Sequence, residues 1–308
     1  IAAHSGRGMS ISFADYDADG LLDAFVTNDN LPNFLFHNLG EGKFVETGLL
    51  SGVALLDHGR AVASMGTDFQ DFDNDGRADV IVTALNGETF PLFRNQGEGL
   101  FGDQTAASHI GRFSNAYSGW GVGLIDFDND GLKDIFTANS HVNDIVEKFE
   151  AALYRQPNTV FRNLGDGKFT LLASGLEGAP KAHRGAAFAD FDGDGRVDVV
   201  VSALGEAAEL WRNSSPPANF LDIQLRGRKS NRDGIGAQIR IGGQLQIRST
   251  SVSYASSVNA PVHFGLGAEA AAVVVEIVWP SGRKQILKGV RPNQLLKVEE
   301  TESLSAPE

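Results

Sequence analysis

The sequence contains no cysteine and only 2 methionines in 308 residues. Without cysteine there is no disulfide framework, no thiolate nucleophile and no thiolate metal site, and redox chemistry leaves every compartment open. No apolar run is long enough to span a bilayer. Neither a Gly-x-Ser-x-Gly elbow nor a His-rich zinc motif is present, so no catalytic machinery is visible. The stretch "IAAHSGRGMS" carries no initiator methionine and no basic-then-apolar leader, so the chain is expected to be the C-terminal part of a longer protein.

What the sequence has in excess is glycine, 36 residues, and negative charge, a net −13. The charge is unevenly spread. Residues 219–300 hold 11 Lys/Arg against 6 Asp/Glu, a net of +5, and 301–308 hold two acids, which leaves residues 1–218 at −16. Such acidity excludes nucleic acid as a partner of the first part. Opposite signs in the two parts predict that they dock electrostatically.

Much of the acidity sits in four short segments in register. They are "DYDADGLLD" from Asp15, "DFDNDGRAD" from Asp71, "DFDNDGLKD" from Asp126 and "DFDGDGRVD" from Asp190, spaced by 56, 55 and 64 residues. A period near 55 marks a modular array. Each unit has a glycine-containing lead-in, the Asp loop, an apolar strand such as "RADVIVTA", and a second strand ending in Asn ("FLFHN", "PLFRN", "TVFRN", "ELWRN"). Three units continue into a Gly-rich hairpin such as "NLGEGKF". Short β-rich runs divided by Gly/Asn/Asp turns predict an all-β array of propeller blades.

Carboxylates at positions 1, 3 and 5 with glycine at 6 are what a hard cation asks of a tight loop, and the carbonyl at position 7 adds another oxygen. An EF-hand would end in Glu at position 12, where this chain has Val26, Val82, Thr137 and Val201. A fourth Asp stands instead at position 9, as the strand begins. All-oxygen donors favour Ca²⁺. The predicted ligands are Asp15, Asp17, Asp19, Leu21 and Asp23; Asp71, Asp73, Asp75, Arg77 and Asp79; Asp126, Asp128, Asp130, Leu132 and Asp134; and Asp190, Asp192, Asp194, Arg196 and Asp198. The position-7 residues contribute backbone oxygen only. About four Ca²⁺ ions are expected, one per loop. Each, at ten times its dissociation constant, would add about 1.4 kcal/mol to folded stability.

The third unit is longer, with extra residues around "SHVNDIVEKFEAALYRQP". Val142, Ile145, Phe149 and Leu153 recur at helical spacing and predict a short helix there. Beside it, Asn139, His141 and Asp144 form either a ligand site or a turn-stabilising cluster. Arg7, Arg60, His183 and Arg184 lie in the lead-ins, where they either rim a central channel or pair with nearby acids. Pro216 and Pro217 mark a boundary. The expected organisation is blades over 1–215, a β domain over 216–300 with strands at "FLDIQLRG", "AQIRIGG", "LQIRSTSV", "AAVVVEIVW" and "LLKVEE", and a flexible tail over 301–308.

The repeats resemble the FG-GAP/VCBS repeats of integrin-type calcium-binding β-propellers, whose loops carry Asp at 1, 3, 5 and 9. The remainder resembles the ASPIC/UnbV domain through "GRKSNRDGIGAQI" (227–239), "HFGLG" (263–267) and "VWPSGRKQ" (278–285). The order of the two is similar to bacterial members of the cartilage-acidic-protein (ASPIC/UnbV) family. "ANSH" stands where relatives read Asn-Gly-His, and "SYASS" (253–257) departs from the family's stretch before "HFGLG". The resemblance implies an exported protein, secreted, periplasmic or on the cell surface, that binds calcium and recognises a glycan or protein ligand. Alternatives are an enzyme acting on polysaccharide or a secondary metabolite at the propeller channel, or a scaffold.

Overall fold

The computed structural model describes residues 4–301, and from residue 302 the expected tail lies outside them. The four units fold as four antiparallel sheets. The first consists of β1 (Gly8–Ala14), β2 (Asp23–Asn28), β3 (Phe34–Asn38) and β4 (Phe44–Glu46). The second has β5 (Thr67–Gln70), β6 (Asp79–Val82), β7 (Leu92–Gly97) and β8 (Leu100–Asp103). The third has β9 (Gly119–Ile125), β10 (Asp134–Asn139), β11 (Thr159–Asn163) and β12 (Phe169–Leu172). The fourth unit, which lacks the Gly-rich hairpin, stops at three strands: β13 (His183–Ala189), β14 (Asp198–Ala203) and β15 (Glu206–Trp211).

The sheets stack as blades, with their first strands side by side: β1 against β5, β5 against β9 and β9 against β13. Core therefore lies between blades rather than inside one. Phe25 and Leu35 meet Phe69 and Val80 between the first two; Phe72 and Ile81 meet Val122 and Ile135 between the next two; Phe136 meets Phe188 and Val199 between the last. A middle strand is thus covered on both faces, which is why β6 and β10 are buried at every position. The lead-in glycines serve close approach. A Cβ on Gly121 of β9 would come within 2.7 Å of the Arg184 carbonyl on β13, so any larger residue would push the two blades apart.

Seven further strands form two facing sheets: β16 (Asn219–Arg226), β17 (Gln238–Ile241), β18 (Gln244–Ile247), β19 (Val262–Gly267), β20 (Val273–Val278), β21 (Lys284–Val290) and β22 (Gln294–Glu299). One sheet runs β19–β16–β22, with β16 and β22 parallel; the other runs β18–β17–β20–β21. Between them Ile223, Ile239, Phe264, Ile277 and the fully buried Trp279 make a separate core. The stretch "GRKSNRDGIGA" (227–237) folds as a turn whose successive N–H groups, from Arg228, Lys229 and Ser230, all donate to Glu300 Oε2 at 2.7–2.8 Å. Such a nest suits an anion, and the chain supplies its own.

The long insertion departs from its expected helix. Only a 3₁₀ turn, Val146–Lys148, forms. Val146 is buried there, while Val142, Ile145, Phe149 and Leu153 are all exposed. The helical spacing had no core to face, and without one a short helix lacks the packing that would hold it.

Candidate functional site

The four Asp loops share one geometry, set by the backbone. Position 6, Gly20, Gly76, Gly131 and Gly195, has φ between +83° and +92°, and position 4, Ala18, Asn74, Asn129 and Gly193, is also left-handed. Two left-handed residues so close curl the chain until the position-6 N–H donates back to Oδ2 of the position-1 Asp at 2.8–2.9 Å. The position-7 N–H then donates to the position-5 carboxylate at 2.7–3.1 Å.

Carboxylate oxygens consequently converge. In loop 1 those of Asp15, Asp17 and Asp23 lie within 4.8 Å of one another, as do those of Asp71, Asp73 and Asp79 in loop 2. In loops 3 and 4 the converging sets are Asp126, Asp128 and Asp130, and Asp190, Asp192 and Asp194. Asp15 Oδ1 and Asp71 Oδ1 are out of solvent and have no hydrogen-bond partner. A buried carboxylate oxygen left unpaired is costly, and a hard cation at the focus of the loop is the group this donor set fits. Electrostatics agree. Burial, reinforced by the neighbouring carboxylates and only partly offset by N–H donors, pushes Asp126 up to about 6 and Asp134 up to about 8.

Position 9 has a second task. Oδ1 of Asp23, Asp79, Asp134 and Asp198 accepts the backbone N–H of Asn38, Asn95, Asn163 and Asn213 at 2.7–2.8 Å. Three of these asparagines then cross to the preceding blade. Asn95 donates to the Tyr16 carbonyl, Asn163 to Phe72 and Asn213 to Phe127, at 2.7–3.0 Å. The second, third and fourth Asp loops are thereby each tied to the blade before them.

The residue before each Asn, not among the expected ligands, is a basic side chain facing the loop. His37 lies 3.3 Å from Asp17 and from Asp23. Arg94 pairs with Asp73 and Asp75, Arg162 with Asp128, and Arg212 with Asp192 and Asp194. Arg77 and Arg196, expected to contribute only their carbonyls, fold their side chains back onto Asp75 and Asp194. Loops 2 and 4 therefore carry two guanidiniums each, and loop 1 none. The recurring His/Arg-Asn dipeptide in "FLFHN", "PLFRN", "TVFRN" and "ELWRN" was the available signal.

The C-terminal sheets sit on the loop end of the blades and touch every loop. Gln238 Nε2 donates to Asp15 Oδ2 at 2.7 Å, and Arg240 donates to the Gly76 carbonyl at 3.1 Å. His263 Nε2 donates to Asn129 Oδ1 at 2.7 Å, and the Phe220 ring fills the space a Cβ on Gly195 would need. Lys133, buried beside Asp134, sends its ammonium to the Asp71 carbonyl at 2.7 Å and toward Leu245 of β18; burial lowers its pKa. Among the described residues no ion pair crosses between residues 1–218 and the C-terminal sheets. In place of the ion pairs that net charge suggests, the contacts are packing and hydrogen bonds in which Gln238 meets a carboxylate and Arg240 and Lys133 meet backbone carbonyls.

From this cap the segment 248–258 runs along the inner strands of all four blades. Ser10 Oγ donates to the Ser253 carbonyl, Ser253 N–H to the Thr67 carbonyl, the Val122 N–H to Ser253 Oγ and the Ala186 N–H to Ser256 Oγ. At its tip Tyr254 packs edge-on against Trp120, with Arg184 stacked 4.1 Å over the same ring. The divergent "SYASS" stretch thus lies against the first strand of every blade.

The other residues singled out in the sequence are spread over the opposite end of the blades. Asn139 is buried and donates to the Pro157 carbonyl and Thr159; His141 is buried, its Nδ1 accepting the Asn143 N–H. His183 is fully buried between the Gln156 carbonyl and Glu209. Arg7 and Asp144 are exposed, and Arg60 pairs with Glu88 at 3.3 Å. The cleft beneath the C-terminal sheets contains none of these side chains.

This cleft, of about 400 Å³, lies between β5, β9, β13 and the cap. Asp68, in the register position held by Ser12, Gly123 and Ala187 in the other units, lines it. Its oxygens accept the Phe69 and Leu124 N–H groups at 2.9 Å. Burial pushes it up to about 6, against those two donors and the charge of Lys133.

With this geometry in place, the family models decide kinship. Residues 15–82, 71–137 and 150–201 match the FG-GAP-like repeat, and residues 227–305 match ASPIC and UnbV. The chain belongs to the FG-GAP-like repeat family, with an ASPIC/UnbV domain after the repeats. It is 30% identical over 309 residues to cartilage acidic protein 1 of Mus musculus, covering 96% of this chain and 44% of that protein. It is equally 30% identical to cartilage acidic protein 1 of Homo sapiens, covering 95% of this chain and 43% of that one. The chain therefore spans less than half the length of these relatives. Among solved structures, an Agrocybe aegerita lectin superposes with a TM-score of 0.44 at 17% identity, over 94% of this chain and 66% of the lectin, a likeness too low to argue from. Among the described residues no helix is long and apolar enough to cross a membrane.

Proposed function

We propose that this chain is a calcium-stabilised recognition or adhesion module working outside the cytosol, secreted, periplasmic or at the cell surface, with a glycan or protein as ligand. The observation that carries the calcium reading is the pair of buried, unpartnered oxygens, Asp15 Oδ1 and Asp71 Oδ1, at the focus of converging carboxylates. Bound there, calcium would supply charge neutralisation and a fixed loop shape; the chain's own residues hold and orient the donors. Asp15, Asp17 and Asp23 would hold it in loop 1, with the corresponding residues in loops 2 to 4. Extracellular calcium modules work at dissociation constants of about 10⁻⁴–10⁻³ M, which suits loops partly countered by arginine. The exposed apolar insertion around Phe149 supports a binding role, since insertions in repeat arrays gather on binding faces.

A second reading, an enzyme acting on polysaccharide or a secondary metabolite, is favoured by Asp68: a buried acid outside the calcium set, lining a cleft, with its pKa raised toward working pH. One experiment addresses both. Glycan-array and pull-down binding are measured in millimolar calcium and in chelator, alongside turnover assays on the captured ligands. Binding that disappears with calcium supports the module. Turnover lost in Asp68→Asn supports the enzyme. Neither binding nor turnover in calcium would overturn both.

A further inference from the structure

The cleft beneath the cap is unevenly furnished. Its walls include Phe188, Phe220, Val252 and Val258, an apolar lining suited to an organic ligand. Its polar groups at the β5 wall are acceptors. Asp68 and Gln70 stand two residues apart and so on one face of that strand. Gln70 Oε1 is out of solvent and has no donor. Each Asp68 oxygen accepts one backbone N–H and retains a free lone pair.

The cations nearby are otherwise engaged. Arg248 donates to the Ser249 carbonyl and to Asn259 Oδ1. Lys133 donates to two backbone carbonyls. His263 is paired with Asp222 at 2.8 Å, while Asp126 and Asp190, which edge the cleft, belong to their loops. Among the described residues no side chain forms an ion pair with Asp68. A buried carboxylate with no ion-pair partner, whose neighbouring cation Lys133 is committed to backbone carbonyls, stands beside an amide oxygen without a donor and makes an incomplete site.

We propose that this cleft binds an ammonium or guanidinium group carried on an apolar stem, with Asp68 as counter-ion, Gln70 Oε1 as second acceptor and the phenylalanine and valine walls around the stem. The assignment rests on the recognition reading only in taking capture of a ligand as the role. The volume suits one such side chain or a small amine, and the cation supplies the donors that the protein withholds.

The test is calorimetric titration of the full chain in millimolar calcium with n-butylammonium, n-butylguanidinium and the neutral n-butanol. The cations are expected to bind at least tenfold more tightly than the alcohol. Asp68→Asn should remove the difference and Gln70→Leu should weaken the cations several-fold. Ala260→Phe, which fills the cleft from its edge, should abolish binding in a chain whose calcium affinity is unchanged, so a folding failure is separable. A blocked pentapeptide with one central lysine that displaces n-butylammonium assigns a protein side chain; binding of the free amine without displacement assigns a small amine, and both outcomes keep the proposal. Equal affinity for cation and alcohol, or full cation binding by Ala260→Phe, would overturn it. Glycan or protein capture that survives Ala260→Phe would leave the recognition reading standing and remove the cleft as its site.

Discussion

Asn163 reaches across a blade boundary: its side-chain amide donates to the Phe72 carbonyl at 3.0 Å and to the Lys133 carbonyl at 3.1 Å, while its Oδ1 accepts the Gly165 N–H. The same residue's backbone N–H is held by Asp134 Oδ1. One asparagine thus joins the second blade, the third Asp loop and the hairpin that follows. Asn163→Ala leaves buried carbonyls unpaired and is expected to cost about 2–4 kcal/mol. Asn163→Asp, which faces a carboxylate toward those carbonyls, should cost more. Urea denaturation followed by tryptophan fluorescence measures both. A loss below 0.5 kcal/mol, by order of magnitude, would deny the inter-blade role.

Ala18 takes φ +63° at the loop position where the other units place Asn74, Asn129 and Gly193. An alanine there carries the Cβ strain that glycine avoids. Ala18→Gly is expected to stabilise the chain by about 0.5–1 kcal/mol, read as a higher urea midpoint, whereas Gly193→Ala should destabilise it by a similar amount.

Arg212 is largely exposed and pairs with Asp192 and Asp194 in the fourth loop. A surface pair of this kind is screened by solvent and holds its carboxylates only weakly. Removing it frees carboxylate oxygens, so Arg212→Ala should raise the calcium affinity of that loop about two- to fivefold without altering the first. Calcium titration of the single variant distinguishes this from a general effect.

Glu300 gives the cap its pH dependence. Burial works to raise its pKa, but donors from Ser281 Oγ and from the Ser230, Arg228 and Lys229 backbone outweigh it and hold the group at about 2, below the ordinary 4.5. A carboxylate depressed on folding stabilises the protein above its unfolded pKa, and that contribution is lost as pH falls through the folded value. The shift corresponds to about 3 kcal/mol, which screening by nearby solvent trims to about 2. Glu300→Gln should therefore lower stability by about that amount at pH 6–7. The gap to the parent should close between pH 4.5 and pH 2, as monitored by thermal melts across that range.

The blades were legible because each unit repeats residues whose roles are local: Asp spacing, φ-positive turns, and apolar middle strands covered on both faces. In the C-terminal sheets β19 and β21 escaped notice. "VHFGLG" is short and ends in glycine, and "KQILKGV" alternates polar residues on an exposed face, so neither carries a strong period. The course of Ser253 and Ser256 along the first strands depends on residues more than sixty positions away in sequence, and nothing local announces it. Asp68 did leave a signal, an acid where sibling units have Ser12, Gly123 and Ala187, but that register is visible only once the units are superposed. The docking expected from opposite net charges finds no ion pair behind it among the described residues, because the cap's Arg240 meets a backbone carbonyl and Gln238 and His263 make further side-chain contacts. Raising salt to 0.5 M, by order of magnitude a Debye length of about 4 Å, is thus expected to leave the cap in place.

Calcium stoichiometry tests the account most directly. The chain is stripped with chelator and equilibrated by dialysis against 1 mM calcium, about the dissociation constant of extracellular modules. Bound metal is then counted by elemental analysis for the parent and for Asp15→Asn and Asp71→Asn. The account predicts up to four ions per chain as calcium is raised, one fewer in each variant, and a higher unfolding midpoint with metal than without. A parent chain that binds no calcium, or variants that bind as many ions as the parent, would contradict it.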